Sequence, residues 1–208
     1  MVKIARVVGP ALVNRRDVGG GRVCDWTPAN KSPHEETVEV YSNCEEVELL
    51  LNGKSLGKKN KPANVTRTWQ VPYAAGTLRA VAKNKQGEPL TDELKTAGDA
   101  TQLVVDADQK ELTTMWDEVS VVRVNVADAS GVTNPNAGDE VKFSVTGPAK
   151  IMAVDNADLD SHEAFRGDRR KAYRGTCIAV IKATGAGEIK VKAEAAGLKG
   201  ATVVINGQ

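Results

Sequence analysis

The chain has 208 residues, room for one large domain or two small ones at about 150 residues per domain. Lys plus Arg total 28 against 27 Asp plus Glu, a net charge of +1 with no basic block; this argues against nucleic acid and anionic membrane surfaces, which select a basic face or run. The 41% hydrophobic content suffices for a buried core, and no apolar run approaches the ~20 residues of a bilayer-spanning helix, so no membrane insertion is expected.

The start, Met1-Val2-Lys3-Ile4-Ala5-Arg6, lacks the apolar stretch and small-residue cleavage site of a secretory signal. The chain is therefore expected either to stay inside the cell or to be an excised piece of something longer. Residues 1–21 read as an irregular N-terminal segment, through Asn14-Arg15-Arg16-Asp17 and Gly19-Gly20-Gly21. The triple glycine is not a phosphate loop, because no Gly-Lys-Ser/Thr and helix follow. Val23-Cys24-Asp25-Trp26 is a candidate strand before Thr27-Pro28. Beyond it, short runs rich in β-branched residues recur between turn signals, and no segment keeps an apolar stripe at helical spacing. Residues 38–41 alternate; residues 47–51 run into Asn52-Gly53, the strongest two-residue hairpin signal, with the return over 54–59. Residues 66–71, 77–82 and 88–96 follow, Pro89 fitting an edge or a strand start.

After Gly98-Asp99 the rhythm restarts with strands over 102–105, 119–126, 140–146, 151–154, 173–183, 187–195 and 201–205. Each half carries about six or seven strands over roughly 100 residues, the size and spacing of an immunoglobulin-like domain. The expected fold is all-β, two tandem immunoglobulin-like β-sandwiches, with residues 22–98 forming the first and 99–208 the second. The polar stretch from Asp155 to Gly175 is much longer than the 2–5 residues that a sandwich needs between neighbouring strands.

The residues able to carry chemistry are few. Of two histidines, His34 lies in a polar turn and reads as a solvated loop residue. His162, in Asp160-Ser161-His162-Glu163, has serine and carboxylate neighbours, but consecutive side chains cannot converge as a triad does, so no catalytic residue is expected. Asp155, Asn156, Asp158, Asp160 and Glu163 could offer oxygens to calcium. The glycine that a helix-loop-helix calcium loop needs at its sixth position is absent, and a loop whose Asp and Asn side chains bond its own backbone is favoured over metal. Cys24, Cys44 and Cys177 match no zinc or redox spacing; they read as small, partly buried apolar residues with at least one free thiol. Aromatic content is only 4%, which disfavours a dedicated sugar-binding module; Trp69 and Tyr73 read as core, Trp26 and Trp116 as partly exposed. No cofactor and no metal is expected.

Val38-Glu39-Val40-Tyr41-Ser42-Asn43-Cys44-Glu45-Glu46-Val47-Glu48-Leu49-Leu50-Leu51-Asn52-Gly53-Lys54-Ser55-Leu56-Gly57 resembles a hairpin in the C-terminal domains of bacterial family 2 glycoside hydrolases, the β-galactosidase and β-glucuronidase family. Trp69-Gln70-Val71-Pro72-Tyr73, Gly76-Thr77-Leu78-Arg79-Ala80-Val81-Ala82 and Thr96-Ala97-Gly98 follow in that family's order. The second half looks like the next C-terminal domain, through Val154-Asp155-Asn156, Asp160-Ser161-His162-Glu163, Phe165-Arg166-Gly167 and Arg170-Lys171-Ala172-Tyr173. Such enzymes hold their two catalytic glutamates in a (β/α)₈ barrel of about 250 residues, and this sequence has no segment long enough for one. The resemblance thus implies a non-catalytic C-terminal region of a retaining β-galactosidase-type enzyme in carbohydrate metabolism, a bacterial parent that is periplasmic or secreted, and the parent's N-terminal and catalytic domains as partners. Asp155, Asn156, Asp160, His162, Glu163, Phe165, Arg166, Arg169 and Arg170 are the candidate docking or substrate-rim contacts, a polar rim around one aromatic anchor. The alternative is a carbohydrate-binding or cell-surface adhesion module of tandem immunoglobulin-like domains, with glycan as the partner.

Overall fold

The computed structural model describes residues 1–9, 21–61 and 66–208, and all regular structure among them is strand. The chain forms two compact units, Met1–Thr96 and Ala97–Gln208.

The first unit contains β1 (Val2–Val8), β2 (Gly21–Val23), β3 (Glu35–Ser42), β4 (Glu46–Leu51), β5 (Lys54–Asn60), β6 (Arg67–Pro72), β7 (Thr77–Lys83) and β8 (Pro89–Lys95). They make two four-stranded sheets, ordered β2-β1-β3-β6 and β5-β4-β7-β8. Period-2 alternation sends Val38 and Val40, Val47 and Leu49, Trp69 and Val71, and Leu78 and Ala80 inward to one apolar core. Asn52 and Gly53 take φ of 51° and 80°, the left-handed pair of a type I′ turn, which matches the twist of β4 and β5. Gly76 is needed for a different reason: a Cβ there would lie 1.9 Å from Asn52 Oδ1, the oxygen that accepts from Thr77 N–H at 2.8 Å.

Two expectations for this unit are corrected. Residues 2–8 are not irregular but an inner strand, paired with both β2 and β3. The alternation Val2, Ile4, Arg6, Val8 is obscured in the sequence by Arg6, which is only 5% exposed and held by Asp25 and Glu36. Trp26 is fully buried rather than partly exposed, because its Nε1–H donates to Ala74 O at 3.0 Å and its ring packs 5.4 Å from that of Tyr73. Asn14-Arg15-Arg16-Asp17 and the first two glycines of the triplet lie outside the described residues.

The second unit contains β9 (Gln102–Ala107), β10 (Glu111–Leu112), β11 (Ser120–Ala127), β12 (Glu140–Thr146), β13 (Ala149–Asp155), β14 (Arg169–Lys171), β15 (Thr176–Ala183), β16 (Gly187–Glu194) and β17 (Ala201–Gly207). Its sheets run β10-β17-β16-β12-β14 and β13-β15-β11-β9. Val122, Val124, Phe143, Ala179, Ile181, Ile189, Val191 and Ile205 form the core between them. Both units are immunoglobulin-like sandwiches, and the fold is all-β. The stretch from Asp155 to Gly175 is not one uninterrupted excursion: Arg169–Lys171 adds a short edge strand against β12, with Arg170 opposite Val141.

Candidate functional site

β13 ends at Asp155, and the chain then leaves the sheet until β14 returns it to the other one. The centre of this excursion is Arg170, which is fully buried. Its Nη1 donates to Glu163 O at 3.0 Å, and its Nη2 donates to Asp155 Oδ1 at 3.2 Å and Asn156 Oδ1 at 3.1 Å. Nε faces Glu163 Oε2 at 3.8 Å, an ion-pair contact too long for a hydrogen bond, and the guanidinium lies 5.3 Å from the Phe165 ring centre. A buried cation therefore organises the carbonyl and carboxylate oxygens that could otherwise have faced a metal. No group of three or more His, Cys, Asp or Glu side chains among the described residues is arranged to hold one.

The backbone of the excursion is held by its own side chains. Asp155 Oδ1 accepts from Ala157 N–H at 3.3 Å as well as from Asn156 N–H at 2.7 Å, Asn156 Oδ1 accepts from Asp158 N–H at 3.0 Å, and Asp158 Oδ1 accepts from Asp160 N–H at 3.1 Å, so that Asx turns start at Asp155, Asn156 and Asp158. Asn156 Nδ2 donates to Lys171 O at 2.9 Å and Val154 N–H to Phe165 O at 2.8 Å, tying both ends of the excursion together. Ala157, at φ 61°, makes the left-handed step that lets these turns follow one another.

Two of the nine candidate contacts are corrected by this geometry. Arg170 and Asn156 are buried and face inward, so neither forms part of a polar rim. Asp155 and Glu163 are half-buried and turned towards Arg170. Asp160, His162, Phe165, Arg166 and Arg169 are exposed, Phe165 at 60%; Arg169 forms ion pairs with Asp168 at 3.5 Å and Glu140 at 3.7 Å. One exposed residue is missing from that candidate set. Leu159 is 80% exposed, and the signal was available: a lone leucine between Asp158 and Asp160 in a turn has no core to enter.

Elsewhere, three titratable groups are shifted by their surroundings. Asp128, at the end of β11, accepts from Gly98 N–H at 2.8 Å, from Ser130 Oγ–H at 2.7 Å and N–H at 2.9 Å, and from Val132 N–H at 3.0 Å; these donors hold its carboxyl at about 2. His34 is not simply solvated: one ring nitrogen is 2.7 Å from Ser32 O and the other 2.7 Å from Glu36 Oε1, and both contacts raise its pKa above the ordinary 6.5. Burial pushes the Cys177 thiol up to about 12. All three thiols are free, with Cys44 and Cys177 buried and Cys24, contrary to expectation, exposed.

Comparison with known proteins follows the same division. Residues 103–204 match the glycoside hydrolase family 2 C-terminal domain 5, and residues 35–91 match a domain of unknown function, DUF4982. The chain is 33% identical over 186 residues to β-galactosidase BoGH2A of Bacteroides ovatus, covering 88% of this chain and 22% of that protein. It is 29% identical over 164 residues to a putative β-glucuronidase of Formosa agariphila, covering 76% of this chain and 16% of that one. A solved family 2 glycosyl hydrolase from Bacteroides cellulosilyticus superposes on the whole chain with a TM-score of 0.86 and 34% identity, over 28% of its own length. The chain thus spans between 16% and 28% of the length of these relatives. With its second unit matched to a named domain of that family and both units covered by these relatives, the chain belongs to the C-terminal accessory region of glycoside hydrolase family 2.

Proposed function

We propose that this chain is a non-catalytic element of a retaining β-galactosidase-type enzyme, packing on and positioning a (β/α)₈ catalytic barrel. The observation that carries the reading is the excursion after β13: a backbone fixed by Arg170 presents Leu159 and Phe165, 80% and 60% exposed, outward from a rigid base. Apolar side chains held out by a buried hydrogen-bonded frame are costly in water and gain by contact with another surface. The surrounding Asp160, His162, Arg166 and Arg169 supply a polar rim. Catalysis by this chain is disfavoured by the same frame. Retaining hydrolysis needs two carboxyl groups about 5 Å apart across a glycosidic bond, whereas Asp155 and Glu163 are both turned to the Arg170 guanidinium.

The test is kinetic and uses the full-length enzyme. Phe165→Ala combined with Arg169→Ala should raise KM for an aryl β-galactoside or weaken association between the domains. The accessory region's own stability should stay within about 1 kcal/mol, because exposed sites contribute little to folding. Unchanged kinetics together with unfolding of the second unit would make the excursion internal scaffolding and end the docking role.

A further inference from the structure

His34 and Glu36, at the entry to β3, belong to a cluster of charged groups that the packing role leaves unused. Arg6, which is buried, donates through Nη2 to Asp25 Oδ1 at 2.8 Å and through Nη1 to Glu36 Oε1 at 3.3 Å. The same Glu36 oxygen is 2.7 Å from His34 Nε2, while His34 Nδ1 is 2.7 Å from Ser32 O on the other side of the ring. Both partners are acceptors: a carbonyl oxygen has no hydrogen to give, and Glu36 Oε1 already receives a hydrogen bond from Arg6. Both ring nitrogens must therefore donate, which the imidazolium does and the neutral ring, with a single N–H, does not. The Tyr73 ring, 5.3 Å from that of His34 and itself 5.4 Å from Trp26, adds a fixed aromatic face that favours the cation.

We propose that His34 is a proton-operated clasp on the exposed turn 29–33, closed onto Ser32 O while the ring is charged and open there once the ring is neutral. When the proton leaves, one of the two short contacts becomes lone pair against lone pair. The anionic acceptor keeps its hydrogen, because a charge-assisted bond is roughly twice as strong as a neutral one. The neutral ring is therefore the Nε2–H tautomer, and the contact given up is that of Nδ1 with Ser32 O. Ser32 N–H donates to Asn30 Oδ1 at 3.0 Å, a bond inside the turn, whereas the Ser32 carbonyl ties the turn to the start of β3. Residues 29–33 are exposed, so the released carbonyl is taken up by water. The opening stops there, since Tyr73 N–H still donates to His34 O at 2.8 Å and Arg6 still bridges Asp25 and Glu36.

The charges around the ring come from three elements. Glu36 on β3 favours the imidazolium, Arg6 on β1 opposes it, and Asp25, after β2, pairs with Arg6 and offsets that opposition; Lys31 and Glu35 are exposed. The Ser32 carbonyl and then Glu36 raise the His34 pKa above 6.5, outweighing partial burial and Arg6. The clasp is thus fully closed below pH 6.5 and opens as pH rises through the folded midpoint. It lies in the first unit and does not rest on the docking role of Leu159 and Phe165, so either can fail alone.

NMR of the intact chain from about pH 5 to about pH 9 tests the clasp. Long-range ¹H–¹⁵N spectra should show both His34 nitrogens protonated at the acid end and the Nε2–H tautomer at the alkaline end. The Ser32 carbonyl ¹³C shift should move with the same midpoint as the ring. Hydrogen-exchange protection of the Ser32 amide should fall several-fold relative to the amides of β3, which should keep theirs. In His34→Gln, which does not titrate, the Ser32 carbonyl shift should stop depending on pH. An Nδ1–H tautomer at the alkaline end, a Ser32 carbonyl that does not follow the ring, or a loss of protection that extends into β3 would each overturn the proposal, and all three are read in the unaltered chain. A pH-dependent Ser32 shift that survives in His34→Gln would overturn it as well.

Discussion

Replacing Arg170 by Ala removes the one cation on which the excursion after β13 is folded. Its guanidinium donates to Asp155 Oδ1, Asn156 Oδ1 and Glu163 O, and it is fully buried. Breaking a buried charged network by deleting one partner costs about 3–5 kcal/mol, chiefly because the remaining partners are stranded. Here Asp155 and Glu163 have side chains 40% and 33% exposed and can turn to water, which discounts that figure, whereas Asn156 and the Glu163 carbonyl cannot recover as easily. The expected loss is about 2–4 kcal/mol, confined to the second unit, or roughly 10 °C or more for a domain of that size. Two units need not unfold together, so the measurement is hydrogen exchange resolved by peptide: amides of β12, β13 and β15 should lose protection, and those of β3 and β7 should not. Arg169→Ala, one residue away but exposed, should stay within about 0.5 kcal/mol. If Arg170→Ala matches Arg169→Ala, the guanidinium does not organise the excursion and the account of its rigidity is wrong.

The remaining expectations concern titration and reactivity. Asp128 is held at about 2 in the fold against 3.8 ordinarily, a depressed carboxylate; its contribution, on the order of 2 kcal/mol, is complete above pH ~4 and is lost as pH falls towards 2. Acid unfolding of Asp128→Ala should therefore lack that part of the slope, and an unaltered slope would mean that Gly98 and Val132 do not donate to it in solution. His34 carries the opposite sign: its raised pKa gives stability that is fully present below pH 6.5 and disappears as pH rises through the folded midpoint. An NMR titration should place that midpoint above 6.5 and Glu36→Gln should lower it; a midpoint at or below 6.5 in the parent chain would refute the pairing. Ellman's reagent should modify Cys24 in the folded chain and reach Cys44 and Cys177 only after unfolding, and fast labelling of Cys177 would contradict its burial.

Local chemistry made much of the sandwich legible. Asn52-Gly53 specified its hairpin because φ > 0 at two successive positions has almost no other residue solution; the period-2 runs of β7 and β16 could be read because their inward positions are uniformly apolar, and those of β6 and β11 because only the first inward residue, Arg67 or Ser120, is polar. β1 escaped because its inward row includes Arg6, whose charge is neutralised by Asp25 and Glu36 from elsewhere in the sequence. The same mechanism hid the centre of the candidate site. Arg170 stands in the run Asp168-Arg169-Arg170-Lys171, where nothing local tells the buried arginine from the exposed one beside it; only the pairing of β14 with β12 turns it inward. The Asx turns at Asp155, Asn156 and Asp158 were visible, since they need only the next two residues, while the long-range acceptors of Arg170 were not.

The most direct test of the packing role is hydroxyl-radical footprinting of Leu159 and Phe165 in two states, this chain alone and the full-length enzyme that carries it. Both side chains are exposed in the chain and should react readily there. In the full-length enzyme each should be protected several-fold; equal reactivity of Leu159 and Phe165 in the two states would contradict the account.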